Sequence, residues 1–268
     1  MTDLDAYLRR IGYTGPRAPT VAVLHAVHRH HALAIPFENL GALRGAKVDY
    51  TLPALLAKLV HGGRGGYCFE QGYLLLHMLR ALGFIAVPLI GRVRPAGVTG
   101  ILGLTHMLMR VECEGRVFFA DTGYGNLSLL EPLELKPGER LHHAALEPRR
   151  LIAEGPLLVQ QAEIKGVWTD IYAFSPHEAP AMDFEIGNWY TSTYPESRFV
   201  RNLIAVRLEP DRRHTLLNRE YHVRFTGDRL ESRTLASPAE LREVLVQRFG
   251  LVLPADLSLE CAELKWTA

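Results

Sequence analysis

The sequence predicts an α+β protein, because helical patterns run as far as Gly83 and strand patterns begin at Phe84. A mixed section follows the strands and closes on a well-marked helix near the C-terminus. The chain has 268 residues, of which 48% are hydrophobic and 22% are charged. That length and composition allow a sizeable core divided into two or three units.

Two helices are predicted in the first part of the chain. The first has an N-cap at Thr2 and stops at Gly12, and the second has an N-cap at Thr20 and runs over residues 21–33. Pro36 blocks its continuation.

Two more helices precede the strands. The third has Thr51 as N-cap, Pro53 in its first turn and Gly62 past its end. The fourth begins at or near Cys68 and ends at Gly83, with leucines and methionines forming its buried stripe. The cysteine is therefore expected at a helix N-terminus.

Short apolar runs separated by glycine and proline predict the strands. The predicted strands cover residues 84–93, 105–113, 116–121, 151–164, 168–174, 200–208 and 221–226. A last helix is predicted from Ser237 as N-cap, Pro238 at the first helical position and Glu240 in a capping box. It is expected to run to Phe249 and to stop at Gly250.

Charge and hydropathy exclude several function classes. The net charge of +1 gives no case for nucleic acid or an anionic membrane surface, and no apolar run is long enough to span a bilayer. The acidic N-terminus argues against secretion. The cysteines Cys68, Cys113 and Cys261 form no disulfide framework, so a reducing cytoplasmic location is expected.

Four histidines on the second predicted helix raise the question of a metal site. His25 and His28 have an i, i+3 spacing that zinc can use, and His30 and His31 follow them. No HExxH pattern or carboxylate partner accompanies them. We therefore expect no metal and interpret them as a partly exposed helix face.

The stretch from Gly62 to Glu70 has the features of a nucleophile site. Cys68 follows a glycine-rich, basic loop, and the helix N-terminus there favours the thiolate. Arg64 adds positive charge, and the glycines allow a substrate to approach the backbone. An isolated cysteine is more often a small buried hydrophobe, and this context reverses that expectation.

A predicted hairpin supplies a base and its orienting carboxylate. If Cys113 and Glu114 form its tip, His106 lies directly opposite Asp121. If the tip is Glu114-Gly115, the two become diagonal neighbours on one face. Either register brings their Cβ atoms within roughly 5–8 Å. Cys68, His106 and Asp121 together indicate a Cys-His-Asp triad.

The motif Arg64-Gly65-Gly66-Tyr67-Cys68-Phe69-Glu70 resembles the active-site signature of the arylamine N-acetyltransferases. Other stretches similar to that family are Ile35-Pro36-Phe37-Glu38-Asn39-Leu40, the His106 strand, Asp121-Thr122-Gly123-Tyr124-Gly125, Arg198-Phe199-Val200 and Thr215-Leu216-Leu217-Asn218-Arg219-Glu220. The resemblance spans nearly the whole chain. Two departures are Gln71-Gly72 in place of a pair such as Leu-Asn, and Thr-Gly-Tyr-Gly in place of Val-Gly-Phe-Gly. They bear on acceptor preference and pocket shape.

The resemblance implies three units: a helical bundle over residues 1–84, a β-barrel over 85–190 and an α/β lid over 191–268. It also implies a core like that of the cysteine proteinases, with Cys68, His106 and Asp121 as the triad. The implied reaction moves acetyl from acetyl-CoA to arylamines, arylhydroxylamines or hydrazines. Acetyl-CoA is then a co-substrate, and no permanently bound cofactor is expected.

The motifs also suggest contacts around the triad. Phe37, Phe69 and Tyr124 are candidates to line an apolar pocket for the aromatic amine. The turn from Gly123 to Gly125 is a candidate anion nest for the CoA diphosphate.

Arg64 is interpreted as the partner of Glu38 in a buried ion pair, not as a catalyst.

Two alternatives to acetyl transfer stay open: a cysteine hydrolase or transglutaminase-like enzyme with the same triad, and a non-catalytic binding module in which Cys68 is inert.

Overall fold

The structure is a computed structural model that describes residues 2–95, 97–138, 140–141, 146–227 and 229–266. Its helices are α1 (Asp3–Arg10), α2 (Val21–Ala34), α3 (Leu52–Leu55), α4 (Cys68–Ala81), α5 (Ala181–Thr193), α6 (Arg198–Arg201) and α7 (Pro238–Gln247). Its strands are β1 (Phe37–Glu38), β2 (Ile85–Val93), β3 (Leu104–Cys113), β4 (Arg116–Ala120), β5 (Leu133–Glu134), β6 (Arg140–Leu141), β7 (Arg149–Glu154), β8 (Leu157–Ile164), β9 (Val167–Phe174), β10 (Ile204–Leu208), β11 (Arg212–Leu217), β12 (Glu220–Phe225) and β13 (Leu230–Thr234).

The N-terminal helices follow the predicted caps, with one exception. The side chains of Thr2 and Thr20 accept main-chain N–H groups at the starts of α1 and α2, as predicted. Thr51 occupies the N-cap position of α3 as predicted, but its side chain makes no cap hydrogen bond, and its own N–H donates to the Asp49 carboxylate at 2.8 Å. Beyond α3 the chain continues as a π-helical segment, Leu56–His61, before Gly62.

Two antiparallel sheets form the rest of the molecule, which confirms the α+β class. The larger sheet has eight strands in the order β5-β4-β3-β2-β9-β8-β7-β6, and the smaller has five in the order β1-β10-β11-β12-β13. The larger sheet curls as a half-barrel, and its edge strands β5 and β6 do not pair with each other in the described part of the chain. β1 comes from the N-terminal part yet joins the five-stranded sheet, where Phe37 pairs with Val206.

Several predicted elements needed correction. Residues 151–164 form two strands, because Gly155, with a φ of +56°, turns the chain between β7 and β8. Residues 200–208 begin inside α6, and only the later part forms β10. α5, β11 and β13 were not predicted. α5 carries exposed apolar side chains such as Ile186 and Trp189, which hide its helical period, and β13 is exposed along its whole length.

The close packing of α4 against the sheet places the cysteine beside the histidine strand. An ideal Cβ at Gly72 would lie 2.9 Å from the Met107 side chain of β3, so any larger residue at that point of the helix would require Met107 to move. α4 therefore approaches β3 one residue from His106.

The division into units 1–84, 85–190 and 191–268 stays a prediction. Outside the described residues lie residue 1 of the first unit, residues 96, 139 and 142–145 of the second, and residues 228, 267 and 268 of the last.

Candidate active site

The candidate nucleophile, Cys68, is the first residue of α4, as predicted. The Glu70 carboxylate accepts the main-chain N–H of Tyr67 at 3.2 Å, so this acidic side chain caps the helix at its positive end. The thiol is 4% exposed, and its Sγ lies 3.5 Å from the main-chain oxygen of Thr105, the neighbour of His106.

A buried cluster of charges supports the loop before Cys68. Arg64 binds Glu38 with an Nη2–Oε1 distance of 2.7 Å, which confirms the predicted ion pair. Lys58 binds Glu70 at 2.6 Å and lies 3.8 Å from Glu38. Both carboxylates are buried, and burial raises the pKa of Glu70 against the opposing charge of Lys58. The charge of Arg64 is thus compensated by Glu38, which favours its structural interpretation.

The hairpin of β3 and β4 has the second of the two predicted registers. Met109 pairs with Ala120, and the tip is Glu114-Gly115, with φ values of +51° and +70°. Two residues with positive φ are typical of a two-residue hairpin turn. His106 and Asp121 meet across it, with an Nε2–Oδ2 distance of 2.8 Å.

The Asp121 carboxylate accepts three hydrogen bonds. Besides His106, the Tyr172 hydroxyl donates to Oδ2 at 2.7 Å and the Gly123 N–H donates to Oδ1 at 2.9 Å. Burial raises the pKa of Asp121, but these partners outweigh burial and lower it. Sequence reasoning missed Tyr172, which lies on β9, because no local pattern links it to a residue 51 positions away.

His106 connects the carboxylate to the thiol. Its Nε2 is occupied by Asp121, which leaves Nδ1 as the ring nitrogen for Cys68, whose side chain is close enough to raise the pKa of the imidazole. Burial lowers the pKa of His106, but Asp121 and Cys68 together raise it to about 10. The imidazolium is therefore strongly favoured at neutral pH.

Gly123 brings the aspartate corner against the nucleophile. An ideal Cβ at Gly123 would lie 2.8 Å from the Cα of Cys68. The three predicted triad residues are thus brought together, and each is nearly inaccessible to solvent.

The three aromatic residues predicted to line the acceptor pocket lie in different parts of the structure. Tyr124 packs edge-on against His106, with ring centroids 5.2 Å apart. Phe37 lies against Gly125 and tilts against Phe199 at 6.1 Å. Phe69 has no exposed surface and lies among the core aromatics. Tyr124 is therefore the candidate with a ring contact to a triad side chain.

The glycine corner does not offer the donors that the predicted anion nest requires. The Gly123 N–H donates to Asp121, and the Gly125 N–H donates to the Ser128 hydroxyl at 2.7 Å. Both groups are used within the protein, so this arrangement gives a phosphate no free N–H from either glycine.

Neither a metal-binding cluster nor a membrane-spanning helix is found among the described residues. No group of three or more histidine, cysteine or acidic side chains there has the arrangement to hold a metal ion. In that same part of the chain, no helix has the length and apolar character that crossing a bilayer requires.

Comparison with known proteins identifies the class. The sequence model of the N-acetyltransferase family matches residues 20–258. The fold and the site therefore belong to an acyltransferase.

Relatives identify the family within that class. The arylamine N-acetyltransferase of Mycolicibacterium smegmatis is 37% identical over 257 residues, 94% of this chain and 92% of the relative. The Escherichia coli arylamine N-acetyltransferase is 33% identical, covering 92% of this chain and 88% of the relative. The chain belongs to the arylamine N-acetyltransferase family, which confirms the resemblance drawn from its motifs.

Solved structures agree with this assignment. Mycobacterium marinum arylamine N-acetyltransferase in complex with CoA is 36% identical, has a TM-score of 0.89 and matches 95% of this chain and 94% of that one. The Salmonella typhimurium enzyme is 30% identical, with a TM-score of 0.90 over 97% and 95% of the two chains. An acetyl-transferring enzyme is thus favoured over a hydrolase or an inert binding module.

Proposed function

We propose that this enzyme transfers acetyl from acetyl-CoA to the nitrogen of arylamines, arylhydroxylamines or hydrazines, through an acetyl group held on Cys68. The observation that supports it is the contact chain Cys68–His106–Asp121, closed by the 2.8 Å bond between imidazole and carboxylate. Such a chain is the arrangement that activates a thiol for acyl transfer.

The first half-reaction acetylates the thiol. The sulfur of Cys68 attacks the thioester carbonyl of acetyl-CoA, and His106 takes the thiol proton as general base. When the carbon–sulfur bond to CoA breaks, His106 returns that proton and CoA leaves as a free thiol. The main-chain N–H of Cys68, at the start of α4, is the candidate donor to the oxyanion, a contribution of about 3–4 kcal/mol in comparable enzymes.

The second half-reaction uses the same groups in reverse. The amine attacks the acetyl carbon, His106 removes the amine proton, and the Cys68 sulfur leaves. Asp121 holds the imidazole in one orientation and stabilises the imidazolium, and its own lowered pKa keeps it ionised.

The low solvent exposure of the site favours acetyl transfer to an amine over hydrolysis by water. Cys68 and His106 are 4% and 2% exposed, so bulk water reaches the acetyl group poorly. Tyr124 stands beside His106 and, with Phe37, is proposed to contact the aromatic acceptor. Phe69 is proposed to support that pocket from the core side, because it has no exposed surface.

The division of the chain into units and its location in the cell are also proposed. The three units over residues 1–84, 85–190 and 191–268 are proposed as bundle, barrel and lid. A cytoplasmic location is proposed because Cys68, Cys113 and Cys261 are all free, and a reducing compartment keeps a catalytic thiol usable.

Steady-state kinetics test the proposal. CoA release from acetyl-CoA should depend on an added aromatic amine, and initial-rate plots should run parallel, as a ping-pong mechanism requires. Intersecting lines would contradict the acetyl-enzyme route. Turnover of peptides or amides without acetyl-CoA would instead favour the hydrolase alternative.

A further inference from the structure

Helix α2 buries two histidines that the proposed mechanism does not use. His28 and His31 are both fully buried and stand one turn apart on one helix. The interpretation of this helix's histidine cluster as a partly exposed face is wrong for these two residues, because both are buried. In the structure each instead makes a hydrogen bond to a different part of the active site.

His28 holds the carboxylate side. Its Nε2 accepts the main-chain N–H of Asp121 at 3.2 Å, directly after the end of β4. A buried N–H that loses its hydrogen-bond partner destabilises the position that it occupies. The imidazole therefore fixes the peptide group from which the Asp121 carboxylate projects.

His31 holds the nucleophile side through Gln71. Its Nε2 donates to the Gln71 amide oxygen at 2.7 Å. The Gln71 amide nitrogen in turn donates to the main-chain carbonyls of Pro36 at 2.9 Å and Gly66 at 3.3 Å. Gly66 lies two residues before Cys68, so this network ties the loop that presents the thiol to α2.

We propose that His28 and His31 are positioning residues that hold the Asp121 corner and the loop before Cys68 at the separation the triad needs. Residues three apart on an α-helix keep a fixed distance, so one rigid element sets the spacing of both parts. The inference rests on the proposed function of the triad and adds a role for two residues outside it.

Both imidazoles do this in the neutral form. His28 must keep Nε2 unprotonated to accept an N–H, and His31, donating from Nε2, accepts the Tyr7 hydroxyl at Nδ1 (2.9 Å). Burial lowers the pKa of His28 to about 4 and that of His31 to about 3.

Other groups act on these two imidazoles from the surrounding elements. The charge of Asp121 opposes the effect of burial on His28, and His25 adds to it. The hydrogen bond that His31 donates to Gln71 opposes the effect of burial on the pKa of His31, while Arg10 and His28 add to that effect.

Paired amide substitutions test the proposal. A glutamine side chain places its amide near the position of Nε2, whereas asparagine reaches only the position of Nδ1. His28→Gln and His31→Gln should therefore keep the contacts to the site, and His28→Asn and His31→Asn should lose them. His214→Asn is the matched control, because His214 is also buried and would also lose a contact of its Nε2, which lies 3.3 Å from the Glu209 carboxylate, but it lies in the five-stranded sheet.

Two rates are measured on the folded variants: single-turnover acetylation of Cys68 by acetyl-CoA, and alkylation of Cys68 by iodoacetamide at about pH 5.5 relative to about pH 8. Both Asn variants should lose about tenfold in acetylation and in the alkylation ratio. Both Gln variants should stay within about threefold of wild type, and His214→Asn should change neither rate.

A purely structural role predicts lower thermal stability with unchanged rates in the folded protein, and that result would overturn the proposal. Gln variants no better than Asn variants would overturn it too. His28→Met and His31→Met, which fill the space without a polar tip, replace any Asn variant that does not fold. If neither variant folds at a position, that histidine serves stability alone and the proposal fails.

The alkylation readout separates this proposal from the proposed function, because it needs no acetyl-CoA. A wild-type enzyme that gains no acetyl group, yet shows rapid alkylation at acidic pH that only the Asn variants lose, would reject the function and retain the positioning role.

Discussion

Gly123 gives the sharpest test of how closely the triad must be assembled. The residue has no positive φ, so alanine is compatible with its backbone, and the only obstacle is space. An added Cβ would lie 2.8 Å from the Cα, 3.1 Å from the main-chain oxygen and 3.3 Å from the Cβ of Cys68. Main-chain atoms cannot rotate away, so the aspartate corner or the start of α4 must move.

The required movement sets the size of the effect. Relief to an ordinary contact of 3.4 Å means a displacement of about 0.6 Å between Asp121 and Cys68. A misplacement of 1 Å costs about a hundredfold in rate, so Gly123→Ala should acetylate Cys68 about tenfold more slowly. Overpacking should also lower the free energy of unfolding by about 1–3 kcal/mol.

Rapid-mixing mass spectrometry of the acetyl-enzyme measures that rate, and urea unfolding measures the stability. Gly103→Ala is the control: it lies three residues before His106, and its Cβ would meet only a Thr105 methyl group at 3.7 Å. The reasoning is refuted if Gly123→Ala acetylates as fast as Gly103→Ala while both are folded.

Three further predictions concern buried side chains around the site: an ion pair, a hydrogen bond and a histidine that can be protonated. Arg64→Met leaves Glu38 buried without its close partner and should cost about 3 kcal/mol of stability, with Cys68 alkylation in the folded protein nearly unchanged; a slower alkylation at full stability would reverse this interpretation. Tyr172→Phe removes one of three hydrogen bonds from Asp121 and should slow acetylation less than Asp121→Asn does, as single-turnover rates would reveal; equal losses would contradict it. His31 has a folded pKa of about 3 against an unfolded value of 6.5, so it binds fewer protons when folded, and stability is lost as the pH falls below 6.5, by up to about 1.4 kcal/mol per pH unit. Urea unfolding of His31→Gln should therefore show a shallower decline from pH 6.5 to pH 5 than wild type, and parallel curves would contradict the depressed pKa.

The local features of the site could be predicted from the sequence. Cys68 at a helix start was predictable, because glycines and a following apolar stripe mark the beginning of α4. The hairpin could be narrowed to two registers, and the positive φ of Glu114 and Gly115 selected one. These features depend on neighbouring residues, whose pattern is visible in the chain.

Contacts between residues that are far apart in the sequence could not be predicted from it. Tyr172 reaches Asp121 from another strand, and His28 reaches it from a helix 93 positions earlier. Packing of the whole sheet determines both contacts, and neither residue has a local pattern that announces them. α5 was not predicted for a different reason: apolar side chains on its exposed face conceal the helical repeat of its buried residues.

The most direct test of the central claim is the intact mass of the protein after brief exposure to acetyl-CoA without an amine. A thiol activated by His106 and Asp121 should take up a single acetyl group, lose it on addition of an aromatic amine, and take up none in Cys68→Ala. An unchanged mass in the wild-type enzyme, or an acetyl group that persists in Cys68→Ala, would contradict it.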